Sequence, residues 1–193
     1  MSDTILHEGK WLALKVKNDP AKGISGYEYV HNVPGNGRGV AVLPFRWRET
    51  PDGPNDEVLE FLTVNEIIPP WKTSLTMCSL TGLCDLATEA PVAAAAREVF
   101  EESGYKVEPK ELISLGTCHV AKSSDTTLHL FTVNLTDKVA VEAPKDGPGL
   151  EQQLTSTWVV DPYTSMDPVL SVMWARFNSL NYDTLQAHEV SEP

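Results

Sequence analysis

The stretch Arg97-Glu98-Val99-Phe100-Glu101-Glu102-Ser103-Gly104-Tyr105 places three carboxylates within five residues. At about 100° per residue, positions 98, 101 and 102 fall at i, i+3 and i+4, so a helix projects all three from one face. A helix is expected from about Glu89 to Ser103: Pro91 suits the first turn, the alanines at 93 to 96 favour propagation, and Gly104 is placed to terminate it. Like charges this close destabilise a helix, and a solvated acidic face normally interleaves Lys four residues from each Glu. Here Arg97 is the only base between Asp85 and Tyr105. Hard divalent cations take oxygen ligands and relieve such repulsion, so the acidic face reads as a cradle for Mg²⁺, with Mn²⁺ as an alternative.

Outward from this helix the chain alternates short apolar runs with turns, an α+β pattern. Strands are expected at 11–17, 27–32, 39–47, 57–64, 75–81, 112–118, 127–135 and 157–160. Eight strands are too many for one simple sheet. The turn-rich segments at 34–39, 50–56 and 142–149 are expected to join antiparallel strands. The run Gly35-x-Gly37-x-Gly39 precedes a strand and lacks Lys-Ser/Thr, so it reads as a hairpin turn and not as a phosphate loop. A second helix should begin at Asp167-Pro168, its stripe Val169, Val172, Met173, Phe177 and Leu180 facing the core.

At 193 residues, with 41% hydrophobic and 22% charged residues, the chain fits one globular domain. The formal charge of −12 disfavours nucleic acid and anionic membrane as partners. Cys78, Cys84 and Cys118 are odd in number and lack a CxxC spacing, which points to a reducing compartment and against a zinc ribbon. No signal-like segment or run of 18 apolar residues is present, so a cytoplasmic location is expected. For the same reason the sequon Asn134-Leu135-Thr136 is not expected to be glycosylated. His119 and His129 lack metal-ligand spacing and read as structural.

Gly82, Glu89, Arg97-Glu98-Val99, Glu101-Glu102 and Gly104-Tyr105 resemble the Nudix box, G-x5-E-x7-R-E-U-x-E-E-x-G-U with U apolar. The span from Glu89 to Tyr105 matches at every defined position; Gly82 lies seven residues before Glu89 where the pattern sets six, so Leu83 holds the nominal glycine position. The resemblance implies an α+β Nudix fold, a mixed sheet sandwiched between helices, as one domain over 1–193 with an N-terminal β-extension over about 1–35. Tyr27-Glu28-Tyr29-Val30, Gly82-Leu83-Cys84-Asp85 and Leu128-His129-Leu130-Phe131 look like segments of the ADP-ribose pyrophosphatase branch. In that branch an N-terminal segment such as Trp11-Leu12 serves dimerisation, so a homodimer is implied. Two positions depart from the branch: Ile68 stands where it carries an Arg before Pro-Pro, and Ala121 where it carries a Pro.

What the resemblance implies is a Mg²⁺-dependent hydrolase of the pyrophosphate bond in a nucleoside diphosphate linked to another group, ADP-ribose or a related sugar nucleotide foremost. Glu98 and Glu102 would be the main metal ligands, with Glu101 as a further or water-mediated one and a backbone carbonyl near Gly82 completing the shell. Arg97 would orient the carboxylates. The general base would come from a late loop, Glu151 ahead of Glu142 and Asp146. Tyr27, Glu28 and Tyr29 are the substrate-binding candidates, and Trp47 and Trp71 are further aromatic rings able to stack on a base. Two alternatives remain: a catalytically silent Nudix regulator that binds a nucleotide, favoured by Ile68, and a housecleaning hydrolase of nucleoside triphosphates or dinucleoside polyphosphates.

Overall fold

The computed structural model describes residues 3–51, 53–71, 75–84, 88–142 and 154–180. Among the described residues there are ten strands: β1 (Thr4–Glu8), β2 (Leu12–Asp19), β3 (Ile24–Asn32), β4 (Arg38–Thr50), β5 (Gly53–Glu66), β6 (Thr76–Cys78), β7 (Leu80–Leu83), β8 (Ile113–His119), β9 (Thr127–Asn134) and β10 (Thr155–Val159). The α-helices among the described residues are α1 (Pro91–Ser103) and α2 (Pro168–Phe177). β1, β2 and β3 form an antiparallel sheet of their own. The others make a seven-stranded mixed sheet in the order β10-β5-β4-β9-β8, β6 pairing with β5 and β7 with β4; the β4–β9 pair is parallel.

Alternation along the central strands fills both faces of the large sheet. Val40, Val42, Leu62, Val64 and Leu80 meet Ala94, Ala95 and Val99 of α1 on one face. Ala41, Leu43, Phe45 and Phe61 meet Leu170, Met173 and Phe177 of α2 on the other. The large sheet is thus sandwiched between two helices.

Two connections differ from the sequence expectation. The turn at 34–39 is not a hairpin: β3 pairs with β2, and β4 with β5, β7 and β9, so the turn carries the chain from the small sheet into the large one. The apolar run at 75–81 is two strands, because Ser79 gives its N–H and its hydroxyl to the Asp167 carboxylate, each at 3.1 Å. The chain there leaves β5 and continues along β4. That same carboxylate caps α2 by accepting from the Val169 N–H at 2.8 Å. β1 went unforeseen; all five of its residues are exposed, so no buried apolar face marks it.

The end of α1 is built by one glycine. Gly104 has φ +78°, its N–H donates to the Phe100 carbonyl at 2.8 Å, and a Cβ there would stand 2.1 Å from the Val141 carbonyl oxygen. Only glycine satisfies both demands.

Candidate functional site

α1 presents its acidic face to β7. Arg97 works as a fork over that face: Nη1 donates to Glu98 Oε1 at 2.7 Å and to Glu101 Oε2 at 2.9 Å, Nη2 donates to the Leu83 carbonyl at 2.9 Å, and Nε lies 3.5 Å from Glu89 Oε1. One guanidinium therefore ties the start of the box, the helix and the last residue of β7 together. Glu98 is buried and packs on the backbone of Gly82, where a Cβ would stand 1.9 Å from its carboxyl carbon. Gly82 lets the helix carboxylate approach the strand.

Glu102 is half-buried, with its Oε2 shut off from solvent. It accepts from the Thr81 N–H, and its Oε2 is buried with no hydrogen-bond partner. Burial, then the neighbouring Glu98 and Glu66, push its carboxyl well above the usual carboxylate range. Burial also raises Glu66, the last residue of β5, against the lowering effect of a hydrogen bond from Cys78.

An orphaned buried carboxylate oxygen beside a second carboxylate, in an all-oxygen donor set, suits a hard divalent cation. Glu98, Glu101 and Glu102 are the side chains that could hold it. Among the described residues no three His, Cys, Asp or Glu side chains already stand close enough to clasp one ion.

The remaining candidates lie elsewhere. Tyr27, Glu28 and Tyr29 stand on β3 of the small sheet. The Tyr27 hydroxyl donates to the Lys122 carbonyl at 2.8 Å, and that of Tyr29 to Asp3 Oδ2 at 2.8 Å; burial and Asp3 push the Tyr29 phenol up to about 12. Beside Tyr27 a cavity of about 500 Å³ is lined by His119, Ala121, Lys122 and Ser124, at the outer end of β8. His31 Nδ1 lies 2.7 Å from Asp125 Oδ2 and ties that loop to β3. Glu142 is exposed, and Glu151 and Asp146 fall outside the described residues, as does Asp85. Trp47 packs toward the α2 side, and Trp71 is partly exposed. Ile68 packs against the core under α1. Sequence reading missed Glu66: it belongs to no box position, and the alternation of Leu62, Val64 and Glu66 is the one signal that aligned it with the α1 face.

No protein-family model matches the chain. The solved structure of an ADP compounds hydrolase is similar to it with a TM-score of 0.58, over 93% of this chain and 96% of that one, at 17% sequence identity. The two share a fold, and in this chain that fold is a mixed α+β sandwich.

Proposed function

We propose that the protein is a Nudix-type hydrolase that splits the pyrophosphate bond of a nucleoside diphosphate linked to another group, ADP-ribose or a related sugar nucleotide being the leading substrate. The observation that carries this is the Oε2 of Glu102, buried and without a hydrogen-bond partner among the described residues, on the helix whose sequence follows the Nudix pattern from Glu89 to Tyr105. The similar fold of an ADP compounds hydrolase supports the same reaction class.

Water adds its oxygen to one phosphorus, the bond from that phosphorus to the bridging oxygen breaks, and two monophosphates leave. Mg²⁺ or Mn²⁺, when bound, supplies charge neutralisation and a lowered pKa for the attacking water. Glu98 and Glu102 hold the cation, and Glu101 assists. Arg97 fixes Glu98 and Glu101 in place through Nη1, so its contribution is positioning. Glu151 is the proposed acceptor of the water proton, worth about 10²–10⁴-fold. A homodimer is proposed through the small sheet, whose Ile5, Leu6, Trp11 and Leu12 are each at least half exposed; sedimentation of the W11E/L12E variant as a monomer would support it.

The test is a panel of diphosphate-linked nucleotides with Mg²⁺ or Mn²⁺, read by product mass. Two monophosphate products are expected. Saturable binding without products would favour the silent regulator, a reading that Ile68, apolar and packed against the core, supports. Cleavage of triphosphates alone would favour the housecleaning hydrolase.

A further inference from the structure

We infer that Arg38, which lies outside the box, is the positioning residue that holds both ends of the loop before α1 and so sets where the acidic helix begins. This rests on the hydrolase reading of the α1 face and adds to it a residue of β4 that acts through Glu89 and Arg97, without touching a substrate itself.

α1 starts without a cap of its own. Its N-cap position is Ala90, whose side chain has no acceptor, whereas α2 starts on Asp167, whose carboxylate accepts from the Val169 N–H. The chain entering α1 is also one residue longer between Gly82 and Glu89 than the Nudix pattern sets, which loosens the hold of β7 on the helix start. Arg38, half-buried at the first position of β4, supplies what is missing. Its carbonyl accepts from the Cys84 N–H at 3.3 Å, where the chain leaves β7, and its Nη2 donates at 2.5 Å to the carbonyl of Glu89, the last residue before the N-cap. One residue thus binds the loop at both ends.

The Glu89 carbonyl precedes the helix ladder, whose first acceptor is the Ala90 carbonyl, so its donor has to come from another element, and a guanidinium gives a charge-assisted one. Arg38 is itself held by the sheet: its N–H donates to the Gly35 carbonyl at 3.0 Å, and it pairs with Thr127 of β9. With the Glu89 main chain fixed by Arg38, its side chain stands 3.5 Å from Arg97 Nε, and Arg97 places Glu98 and Glu101. Two arginines, one from the sheet and one from the helix, therefore meet on Glu89, one at its main chain and one at its carboxylate.

Steady-state kinetics of Arg38→Met and Arg38→Lys on the diphosphate-linked nucleotide that the wild type cleaves, at saturating Mg²⁺, tests this, beside hydrogen exchange of single backbone amides. Arg38→Met keeps the stem and removes the fork, so kcat should fall about 10–100-fold with KM little changed; Arg38→Lys keeps the charge and one donor and should recover part of the loss. Exchange at Ala93 and Ala94, whose amides make the first bonds of α1, should quicken about five-fold, as on loss of a helix cap, while the Ser171 amide at the start of α2 keeps its rate. Arg38→Gln takes the place of Arg38→Met if the latter does not fold. Unchanged kcat in the neutral variant, with an active wild type, would overturn the inference and leave the hydrolase reading standing. Exchange raised alike in α1 and α2, or a lost kcat that Arg38→Lys does not recover in part, would make Arg38 a general tie of the fold and overturn the inference as well. A wild type that cleaves nothing in the panel would overturn the hydrolase reading and this inference together.

Discussion

Glu60 and Glu66 stand on one face of β5, six residues apart, and the fold treats them in opposite ways. Glu60 is buried between two guanidiniums: Arg46 reaches Oε2 through Nε at 2.8 Å and Nη2 at 2.7 Å, and Arg48 reaches Oε1 through Nε at 2.9 Å. Arg46 also lies over the Trp158 ring, 4.0 Å from its centroid. Burial alone would raise the Glu60 carboxyl, but the two arginines hold it below the usual carboxylate range. Glu66 has the Cys78 thiol where Glu60 has arginines, and burial raises its carboxyl and that of Glu102. One end of the strand is complete in itself. At the other, one Glu102 oxygen is buried with no hydrogen-bond partner among the described residues.

The most severe break in this contrast is Glu102→Gln. It should cut turnover on the order of 10²–10³-fold, as removal of one preorganised electrostatic contact does, without lowering the melting temperature in EDTA. Steady-state kinetics beside a thermal scan checks both; near-normal turnover would remove Glu102 from the site.

Gly82→Ala attacks the same end through shape. Its Cβ would need the space now held by the Glu98 carboxyl, so the variant should lose about 1–3 kcal/mol of stability as an overpacked site does. Urea unfolding gives the number, and an unchanged midpoint would mean that Glu98 swings clear at no cost.

At the compensated end, Glu60→Gln should cost about 1–2 kcal/mol at neutral pH by removing charge-assisted hydrogen bonds, part of it recovered because both arginines retain some access to water. Turnover should be unaffected. A variant as stable as wild type would mean that the arginine pair is as well solvated alone.

The smallest effect is in the pH dependence of metal-free stability, and here the two ends have opposite signs. The lowered Glu60 carboxyl contributes stability above its ordinary value of 4.5 that is lost as pH falls through the lowered one. The raised Glu102 carboxyl works the other way: its contribution is full below 4.5 and is lost as pH rises through the raised value. Melting curves in EDTA should therefore flatten on the acid side in Glu60→Gln and on the neutral side in Glu102→Gln, by about 2–4 °C for each 1 kcal/mol removed. Parallel pH profiles for wild type and both variants would contradict this assignment of the two carboxylates.

Much of α1 and α2 is written locally in the sequence. The i, i+3, i+4 spacing put Glu98, Glu101 and Glu102 on one face, Pro91 and Gly104 bounded the helix within two residues, and Asp167-Pro168 marked the start of α2. These are local facts, decided by helical geometry, by the fixed φ of proline and by the left-handed freedom of glycine, all of which act within a few residues. Pairing is not local. That Ser79 breaks the run at 75–81 depends on Asp167, 88 residues away. That the turn at 34–39 bridges two sheets depends on which strands β4 finds. That Arg97 reaches Leu83 as well as Glu98 and Glu101 depends on β7 lying beneath α1. Glu66 is the clearest case: in the chain it is one acid among many, and only the meeting of β5 with α1 sets its charge against that of Glu102, because a carboxylate's environment is made by the groups that folding brings near it and by the water it excludes. The sequence by itself determined the helix and its acidic face; the tertiary structure alone decided which of those carboxylates meet a guanidinium and which oxygen is left without a partner among the described residues.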